Sequence, residues 1–265
     1  MSVKEHMKTL LEFKDVDFYY QTKEQEIQAL QAVNFKVNRG EFCSIVGPSG
    51  CGKTTILSLS AGLLSPSSGE ILLNGEKVKE NDSRIGYMFQ RDHLFEWRSI
   101  WKNITLGIEI QKPKDKDNKL ALAEELLKKY DLYSFKDRRP RQLSGGMRQR
   151  VALIRTLVLE PELLLLDEPF SALDFQTRLK VCDDVYNMIK SEKKTAILVT
   201  HDISEGLSMS EKMVILTARP ATVKKTMNIN LIGDTPLVKR EDPSFGGLFE
   251  SIWRNLTNEE KQPAH

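Results

Sequence analysis

Residues 47–54 read Gly-Pro-Ser-Gly-Cys-Gly-Lys-Thr and fit the pattern G-x-x-x-x-G-K-T, which is typical of loops that bind a polyphosphate. The glycines let backbone N–H groups curl around phosphate oxygens, and a helix starting here adds partial positive charge. The Lys53 ammonium can reach the β- and γ-phosphates, and the Thr54 hydroxyl can ligate Mg²⁺. We expect this P-loop to hold the phosphates through Gly47, Pro48, Ser49, Gly50, Cys51, Gly52, Lys53, Thr54 and Thr55.

Two acidic residues end an apolar strand predicted further along the chain. Residues 163–166 are four leucines, and Asp167 and Glu168 follow them. Ligands of parallel sheets bind at the carboxyl ends of the strands. Asp167 is suited to hold Mg²⁺ with Thr54, directly or through water, and Glu168 can polarise the water that attacks a γ-phosphate. Two solvated acids that cap a strand are the alternative, which the P-loop upstream disfavours.

Gln90 and His201 also follow predicted strands. His201 comes directly after residues 195–200, and its imidazole can hydrogen-bond a γ-phosphate and hold the attacking water. Gln90 comes after Tyr-Met-Phe at residues 87–89, and its amide can meet a metal-bound water. Each residue has a structural alternative, since a strand-end histidine often serves packing and a glutamine can merely cap a strand.

A second anion site is predicted at residues 143–150, which read Leu-Ser-Gly-Gly-Met-Arg-Gln-Arg and open a helix that runs to about Leu157. Ser144 is a good N-cap, and Gly145 and Gly146 leave the backbone N–H groups bare. The P-loop already serves the γ-phosphate from the other side. Two copies of the chain facing head to tail would bring Ser144, Gly145 and Gly146 to the nucleotide of the partner. An ordinary capped helix is the alternative.

The elements that must position these residues alternate between strands and helices. Residues 10–20 and 29–38 alternate in strand fashion, and the apolar run 42–46 predicts a buried strand before the P-loop. From residue 163 onward, strands and helices alternate again as far as residue 216. This order predicts an α/β fold with a mostly parallel sheet.

Between these parts, residues 91–160 predict a helical insertion. Its clearest element is an amphipathic helix over residues 120–130, preceded by a charged surface loop at residues 112–118.

We expect a single domain over residues 1–258, with its core in residues 9–90 and 161–230. The last helix, residues 243–256, either docks onto the core of the protein or contacts a partner, and residues 259–265 form a disordered tail. The apolar residues that share one face of this helix by their spacing are Phe245, Leu248, Phe249, Ile252, Trp253 and Leu256.

The composition excludes several classes of protein. The 265 residues include 39 Lys and Arg and 37 Asp and Glu, a net charge of +2, whereas a dedicated nucleic-acid binder usually has a basic excess. Three widely spaced cysteines without C-x-x-C indicate a reducing compartment and neither a disulfide framework nor a zinc site. The N-terminus lacks the apolar core of a signal peptide, and no apolar run approaches the roughly 18 residues of a membrane span. We therefore expect a cytosolic protein or one attached to a membrane through a partner.

Together these motifs resemble the ATP-binding subunits of ABC transporters over nearly the whole chain. The ordered set is residues 47–54, Gln90, residues 143–146, Asp167-Glu168, Ser-Ala-Leu-Asp at residues 171–174, and His201. The resemblance implies a P-loop NTPase fold of class α/β, with an N-terminal antiparallel β subdomain and a helical subdomain insertion. The sequence departs from many members at Met147, where they carry Gln.

The resemblance also assigns roles. ATP and Mg²⁺ are the implied cofactors, and the implied reaction is ATP hydrolysis. In that family Asp174 belongs to a loop that touches the partner chain, and Tyr20 or Tyr19 would stack on adenine. The implied catalytic residues are Glu168, His201, Gln90 and Lys53, and the implied metal site is Thr54, Gln90 and Asp167.

Finer features are similar to the importer branch for nitrate, sulfonate and taurine, which also includes carriers of thiamine precursors and riboflavin. They lie in residues 89–98, 145–150 and 167–174 and in the C-terminal run through Ile252-Trp253. The resemblance implies a homodimer with two ATP at its interface, peripheral on the cytoplasmic face of the membrane. Its implied partners are transmembrane permease subunits, an extracellular or periplasmic solute-binding protein reached through them, and no nucleic acid.

An apolar, aromatic patch soon after Gln90 can seat a cytoplasmic helix of the permease or pack inside the insertion: Leu94, Phe95, Trp97 and Trp101. Two other functions are alternatives, an exporter and a soluble ABC ATPase acting on nucleic acid or ribosomes. Such soluble proteins usually carry two ATPase units in one chain or a long coiled coil, and this sequence has neither.

Overall fold

The computed structural model describes residues 8–257, so the tail predicted at residues 259–265 lies outside the described residues. Within this range the strands are β1 (Thr9–Gln21), β2 (Glu26–Asn38), β3 (Phe42–Val46), β4 (Ser68–Leu73), β5 (Glu76–Lys77), β6 (Ile85–Met88), β7 (Leu163–Asp167), β8 (Thr195–Val199), β9 (Lys212–Leu216) and β10 (Val223–Asn228). The α-helices are α1 (Lys53–Ser60), α2 (Ile100–Ile104), α3 (Leu106–Gln111), α4 (Lys116–Lys129), α5 (Gly145–Leu157), α6 (Phe175–Ser191), α7 (Ile203–Met209), α8 (Pro236–Lys239) and α9 (Phe245–Thr257).

Two sheets organise the chain. The larger one has the strand order β10-β9-β3-β8-β7-β6, in which only β10 runs antiparallel to its neighbour. The smaller sheet, β2-β1-β4-β5, is antiparallel throughout. The predicted α/β class, with a mostly parallel sheet and a separate antiparallel one, is confirmed.

The central strands are apolar on both faces because both faces are covered. On β7, Leu164 and Leu166 pack into the core that the helices between β6 and β7 share with α6. Leu163 and Leu165 pack into the core beneath the four-stranded sheet. A continuous apolar run, unlike an alternating one, is what a strand buried on both faces requires. β7 is thus packed on both faces, and its carboxyl end carries Asp167.

The helices that follow β6 are more numerous than predicted. Two short helices, α2 and α3, precede α4, and their five and six residues are too few to show a helical period. α4 begins at Lys116, inside the stretch predicted to be a loop. An ion pair one turn apart, between Lys119 and Asp115 at 3.5 Å, lies at this helix start. The same charges that suggested a solvated loop thus belong to the exposed first turn of a helix.

The C-terminal segment returns to the core. β10 pairs with β9 but was not predicted, since the run Val-Lys-Lys-Thr-Met-Asn is polar, as suits an edge strand. On α9, Ile252 is fully buried, and Phe245, Leu248 and Phe249 pack with it against α7 and β9. Docking onto the core is therefore the observed arrangement, from which Trp253 departs with 53 % exposure. No helix between residues 8 and 257 combines the length and apolar character needed to cross a membrane.

Candidate functional site

The P-loop joins β3 to α1 and folds around the side chain of Lys53. The Lys53 ammonium donates to the carbonyl oxygens of Gly47 and Pro48, each at 2.9 Å. Lys53 is buried, and α1 begins without a side-chain cap and without an acidic residue in its first turn. A cation held at an uncapped helix N-terminus makes the loop a site for an anion.

Glycine is required in this loop by its backbone. Gly50 and Gly52 have φ angles of +72° and +114°, which other residues rarely adopt. Cys51 lies between them with only 1 % exposure, inside the apolar core. The expected contact of Cys51 with phosphate is therefore open to its backbone and not to its thiol.

Asp167 and Thr54 meet beside the P-loop. The Thr54 hydroxyl donates to Asp167 Oδ1 at 3.4 Å, and the Tyr87 hydroxyl donates to Asp167 Oδ2 at 3.1 Å. Burial raises the pKa of the Asp167 carboxyl above its ordinary value, although the Tyr87 hydrogen bond acts in the opposite direction. Burial likewise raises the pKa of Tyr87, and the negative charge of Asp167 adds to that shift. Ionising the Asp167 carboxyl therefore costs free energy while no cation is bound, which is typical of a cation site before its ion binds.

The Thr54–Asp167 pair fits Mg²⁺. This ion takes one or two protein oxygens and leaves its other positions to phosphate and water. Across residues 8–257, no group of three or more His, Cys, Asp or Glu residues could hold a metal ion alone. A metal at Thr54 and Asp167 would therefore depend on the phosphates of a bound nucleotide.

Glu168, His201 and Gln90 form one cluster at the carboxyl ends of β7, β8 and β6. His201 Nδ1 lies 3.1 Å from Glu168 Oε2. The Gln90 amide donates to the same oxygen at 3.5 Å and to the Ser171 hydroxyl at 3.3 Å. The cluster places a potential base within reach of two polar side chains. Gln90 contacts Glu168 and Ser171 here, and no hydrogen bond of the described residues joins it to Thr54 or Asp167.

The backbone at Glu168 is strained. Its φ angle of 44° lies in the left-handed region, and its N–H donates to the Val199 carbonyl of β8 at 2.9 Å. A residue other than glycine rarely adopts this conformation, which costs roughly 1–2 kcal/mol. Strain of this kind is often retained where it aims a functional side chain. Here it accompanies a turn that leaves Glu168 beside His201.

Tyr20, rather than Tyr19, contacts the P-loop helix. The Tyr20 hydroxyl and the Thr55 hydroxyl are 2.9 Å apart, and the ring is 38 % exposed. The Phe18 ring packs against Tyr20 edge to face, with centroids 4.8 Å apart. An exposed ring fixed beside α1 is suited to stack on a base.

The N-terminus of α5 is built differently. The Ser144 hydroxyl accepts a hydrogen bond from the Met147 N–H at 3.3 Å and so caps the helix. A Cβ at Gly145 would lie 2.9 Å from Leu173 Cδ2, and one at Gly146 would lie 2.7 Å from Val181 Cγ2. The α5 N-terminus thus packs on the loop 171–174 and on α6.

The depression over the P-loop does not include the α5 N-terminus. Among the described residues, it is lined by Ser49, Gly50, Gly52, Lys53, Thr54, Thr55 and Glu168. Asp174, in the loop next to α5, caps α6 by accepting from the Thr177 N–H at 3.0 Å. Hydrogen bonding from the Thr177 side chain, and then from the Thr177 backbone, holds the pKa of the exposed Asp174 carboxyl below its usual range. The structure thus gathers the predicted residues into two separate groups.

Sequence reasoning did not assign a role to Tyr87 or Ser171, which bond to Asp167 and Gln90. Tyr87 pairs with Leu165, two residues before Asp167 on the neighbouring strand. The available signal was its place in the predicted strand that precedes Gln90.

The aromatic patch after Gln90 divides in two. Leu94 is buried and Trp101 packs against the helical core, whereas Phe95 and Trp97 are 36 % and 70 % exposed. The Phe95 and Trp97 rings lie 4.8 Å apart. A separate groove, which the sequence did not predict, runs between the end of α1, β6 and α3. Its lining combines the apolar or aromatic residues Ala61, Leu63, Ile85, Tyr87 and Phe89 with the polar residues Asn81, Asp82, Ser83 and Gln111.

Comparisons with known proteins bear on the family of the chain. The model of the family described as ABC transporter matches residues 30–171, more than half of the chain. The uncharacterized ABC transporter ATP-binding protein YtlC of Bacillus subtilis (strain 168) is 45 % identical over 92 % of this chain and 94 % of its own. The taurine import ATP-binding protein TauB of Roseobacter denitrificans is 39 % identical over 89 % of both chains. The aliphatic sulfonates import ATP-binding protein SsuB of Bacillus licheniformis is 41 % identical over 87 % of this chain and 88 % of its own.

Solved structures agree with the fold. CbiO1 of Clostridium perfringens, part of the ABC transporter complex cbiONQ, has a TM-score of 0.75 and 25 % identity over 94 % of this chain and 96 % of its own. A dimeric post-hydrolysis structure of the ATP-binding cassette MJ0796, bound to ADP and Pi, has a TM-score of 0.67 and 30 % identity. It covers 84 % of this chain and 100 % of the cassette.

Proposed function

This chain belongs to the ABC transporter family, and from that premise we propose that it is the ATP-hydrolysing subunit of an importer for a small solute. The observation that carries the proposal is the cluster of Glu168, His201 and Gln90 beside the P-loop. ATP hydrolysis needs three parts at one sheet edge: a potential base, a hydrogen-bond donor to the γ-phosphate, and a loop that holds the phosphates.

In the proposed reaction, the P-loop and Lys53 hold the phosphates of ATP, and Tyr20 stacks on the adenine. Glu168 takes a proton from the water that attacks the γ-phosphorus, and the bond to ADP breaks. His201 donates a hydrogen bond to the γ-phosphate, and Gln90 orients the water with Glu168. Mg²⁺ at Thr54 and Asp167 would neutralise phosphate charge. Positioning and charge stabilisation supply most of the rate in such reactions.

The protein is proposed to work as a head-to-tail homodimer. The N-terminus of α5 lies outside the depression over the P-loop of its own chain. Ser144, Gly145 and Gly146 then meet the γ-phosphate held by the partner, and Asp174 lies at the dimer interface. The cassette MJ0796 is similar to this chain and forms a dimer. Hydrolysis would reopen the dimer.

The membrane partner is proposed to be a permease whose cytoplasmic helix binds the groove between α1, β6 and α3. Leu63 and Phe89, which line this groove, are 53 % and 44 % exposed, and Trp97 is 70 % exposed after Gln90. Large exposed apolar side chains of this kind mark contact sites. A solute-binding protein would deliver the cargo from outside. The chain would thus be peripheral on the cytoplasmic face of the membrane.

The cargo is proposed to be a small solute with an anionic group, such as an aliphatic sulfonate, taurine or nitrate. Relatives named for taurine and for aliphatic sulfonates cover most of the chain at 39 % and 41 % identity. A thiamine precursor or riboflavin is the second candidate, on the resemblance to the importer branch alone.

The test uses tagged Glu168→Gln protein in its native cell, extracted in mild detergent with ATP and Mg²⁺. A multi-span permease should copurify, and the ligand of an accompanying solute-binding protein would identify the cargo. Leu63→Ser, in the groove, should reduce the permease yield, whereas Trp253→Ser, which changes an equally exposed apolar side chain on α9, should not. A permease without a solute-binding protein, together with substrate efflux, would favour an exporter. Ribosomal or DNA-repair proteins without any membrane protein would overturn the transporter.

A further inference from the structure

Arg178, on the first turn of α6, lies between two loops of the candidate site. One terminal nitrogen, Nη2, donates to the carbonyl oxygen of Leu173 at 3.0 Å, within the loop 171–174. The other, Nη1, lies 3.7 Å from Asp202 Oδ2, and Nε lies 3.8 Å from Glu205 Oε1. One guanidinium therefore faces both the loop that carries Asp174 and the segment directly after His201.

The contact of Arg178 with the two carboxylates is incomplete. Its Nε is buried and has no hydrogen-bond partner. Buried donors are nearly always satisfied, and a guanidinium beside carboxylates usually forms two parallel hydrogen bonds. N–H···O bonds span about 2.7–3.2 Å, so a shift of roughly 1 Å would complete both contacts. The Arg178 guanidinium thus lies close to both carboxylates without forming hydrogen bonds to them.

The two carboxylates that face Arg178 belong to a hydrogen-bond network around His201. Glu205 is 3 % exposed and accepts from the Thr200 hydroxyl at 2.7 Å. The same hydroxyl accepts from the Asp202 N–H at 3.0 Å. The residues on both sides of His201 are therefore bonded to each other and to Glu205. A displacement of Glu205 would be transmitted to the position of His201.

The near end of the interaction lies where a second copy would dock. The carbonyl of Leu173 immediately precedes Asp174, and the Leu173 side chain lies where a Cβ on Gly145 would be only 2.9 Å away. Pressure on this loop would move its carbonyl, and the guanidinium bonded to that carbonyl would move with it.

We propose that Arg178 is a positioning residue that couples the loop 171–174 to His201. When a second copy docks on the loop, the guanidinium closes onto Glu205 and Asp202 and fixes His201 for hydrolysis. The inference rests on the proposed function because it assumes both the dimer and ATP hydrolysis. Arg178 itself touches neither the nucleotide nor the attacking water.

The test measures three quantities on the full chain for Arg178→Gln and Glu205→Gln: kcat, nucleotide affinity of the monomer, and ATP-driven dimerisation in the Glu168→Gln background. We expect kcat to fall by on the order of 10-fold to 10²-fold, as for a misplaced catalytic group. Nucleotide affinity of the monomer should stay within about twofold, since no removed group touches ATP. ATP-driven dimerisation should weaken to a similar degree in both variants, because an interaction that closes on docking also stabilises the docked state. A residue with only a structural role would also change the nucleotide affinity of the monomer.

Coupling is tested by the double variant. Arg178→Gln with Glu205→Gln should be no slower than the worse single variant, because both remove one interaction. Arg178→Lys keeps the positive charge but loses the forked guanidinium, and its kcat should lie between those of wild type and Arg178→Gln. It also supplies the same readouts if the glutamine variant does not fold. Arg240→Gln, which removes another guanidinium with a buried, unpartnered Nε, should keep normal kcat.

The outcomes separate the inference from the proposed function. Additive losses in the double variant, or normal kcat in Arg178→Gln, would overturn the coupling while leaving ATP hydrolysis intact. Failure of Glu168→Gln to trap an ATP-bound dimer would instead contradict the proposed function. Weaker dimerisation of Arg178→Gln without the same change in Glu205→Gln would show that Arg178 shapes the interface directly, which also overturns the inference.

Discussion

The N-termini of α1 and α5 are both glycine-bearing helix starts that are predicted to bind an anion, and their surroundings differ. α1 begins after Gly52 without a side-chain cap, and Lys53 and Glu168 line the depression in front of it. α5 begins after Ser144, whose hydroxyl is bonded to the helix itself, and apolar side chains pack against its two glycines. The first region brings together charged side chains, the proposed metal-binding residues Thr54 and Asp167, and the proposed base Glu168, whereas the second offers a helix dipole and a hydroxyl.

The difference decides what each region can do alone. A helix N-terminus contributes about 0.3–1 kcal/mol to binding an anion at an exposed surface. Even millimolar affinity requires about 4 kcal/mol. The N-terminus of α5 can therefore complete a site that already holds a nucleotide but cannot recruit one. We call the P-loop with Asp167 and Glu168 the main half-site, and the N-terminus of α5 the accessory half-site. Because one chain carries one of each, the proposed assembly needs a second copy.

Removing the base from the main half-site should have the largest effect. We expect Glu168→Gln to lower ATP turnover by on the order of 10²-fold or more, because a positioned general base contributes that much. ATP binding should persist, since Lys53 and the P-loop are unchanged, and light scattering should detect an ATP-dependent dimer. Phosphate release measured in steady state checks the rate. Near-normal turnover would remove Glu168 from the role of base and leave the two regions chemically similar.

Mixing two inactive variants tests whether the regions belong to different chains of one site. Lys53→Ala disables the main half-site, and Ser144→Arg blocks the accessory one. Each alone should be inactive, but a mixed dimer pairs the intact P-loop of one chain with the intact Ser144 of the other. Random mixing should restore about a quarter of normal turnover, because half of the dimers hold one good site of two.

The matched control for this mixture is Lys53→Ala combined with a chain that carries both substitutions. No dimer in that mixture contains an intact P-loop, so it should stay inactive. Activity of Ser144→Arg alone would show that the accessory half-site is dispensable, and the comparison of the two regions would fail.

Tyr20 extends the main half-site toward the base of the nucleotide, and no counterpart was predicted for α5. Tyr20→Ala should weaken ATP binding on the order of tenfold, since stacking of a base on an aromatic ring is worth about 1–3 kcal/mol. Tyr20→Phe keeps the ring, loses the hydroxyl beside Thr55, and should bind nearly normally. Titration calorimetry with the monomer measures both. A larger loss for Tyr19→Ala than for Tyr20→Ala would reassign the stacking ring.

The proximity of the residues in the main half-site could be predicted from the sequence because it depends on local rules. Asp167, Gln90 and His201 each stand at the end of an apolar run, and parallel strands bring such ends to one edge. The register between strands could not be predicted, and register is what places Tyr87 near Asp167. The bonds of Arg178 to Leu173 and toward Glu205 depend on how α6 packs against α7, which no local pattern encodes.

Replacing Asp167 should have the smallest effect of these substitutions. It should stabilise the nucleotide-free protein, whereas the other substitutions impair turnover or ATP binding. Burial raises the pKa of this carboxyl in the folded state above its unfolded value. For such an acid, the stability contribution is full below the unfolded pKa, about 3.9, and is lost as pH rises through the folded pKa. The ionised carboxyl therefore opposes folding at neutral pH when no cation is bound.

Asp167→Asn removes this charge and keeps an oxygen that can accept from Tyr87. Its Tm without nucleotide should exceed that of wild type by a few degrees at neutral pH, and the gap should shrink toward pH 4 as the Asp167 carboxyl takes up its proton. The Tm increase on adding ATP and Mg²⁺ should be smaller than in wild type, because the variant lacks the metal carboxylate. Melting curves at both pH values, with and without ATP and Mg²⁺, measure this. A destabilised free variant would mean that Asp167 is a structural strand cap, and the main half-site would then lose its metal pair.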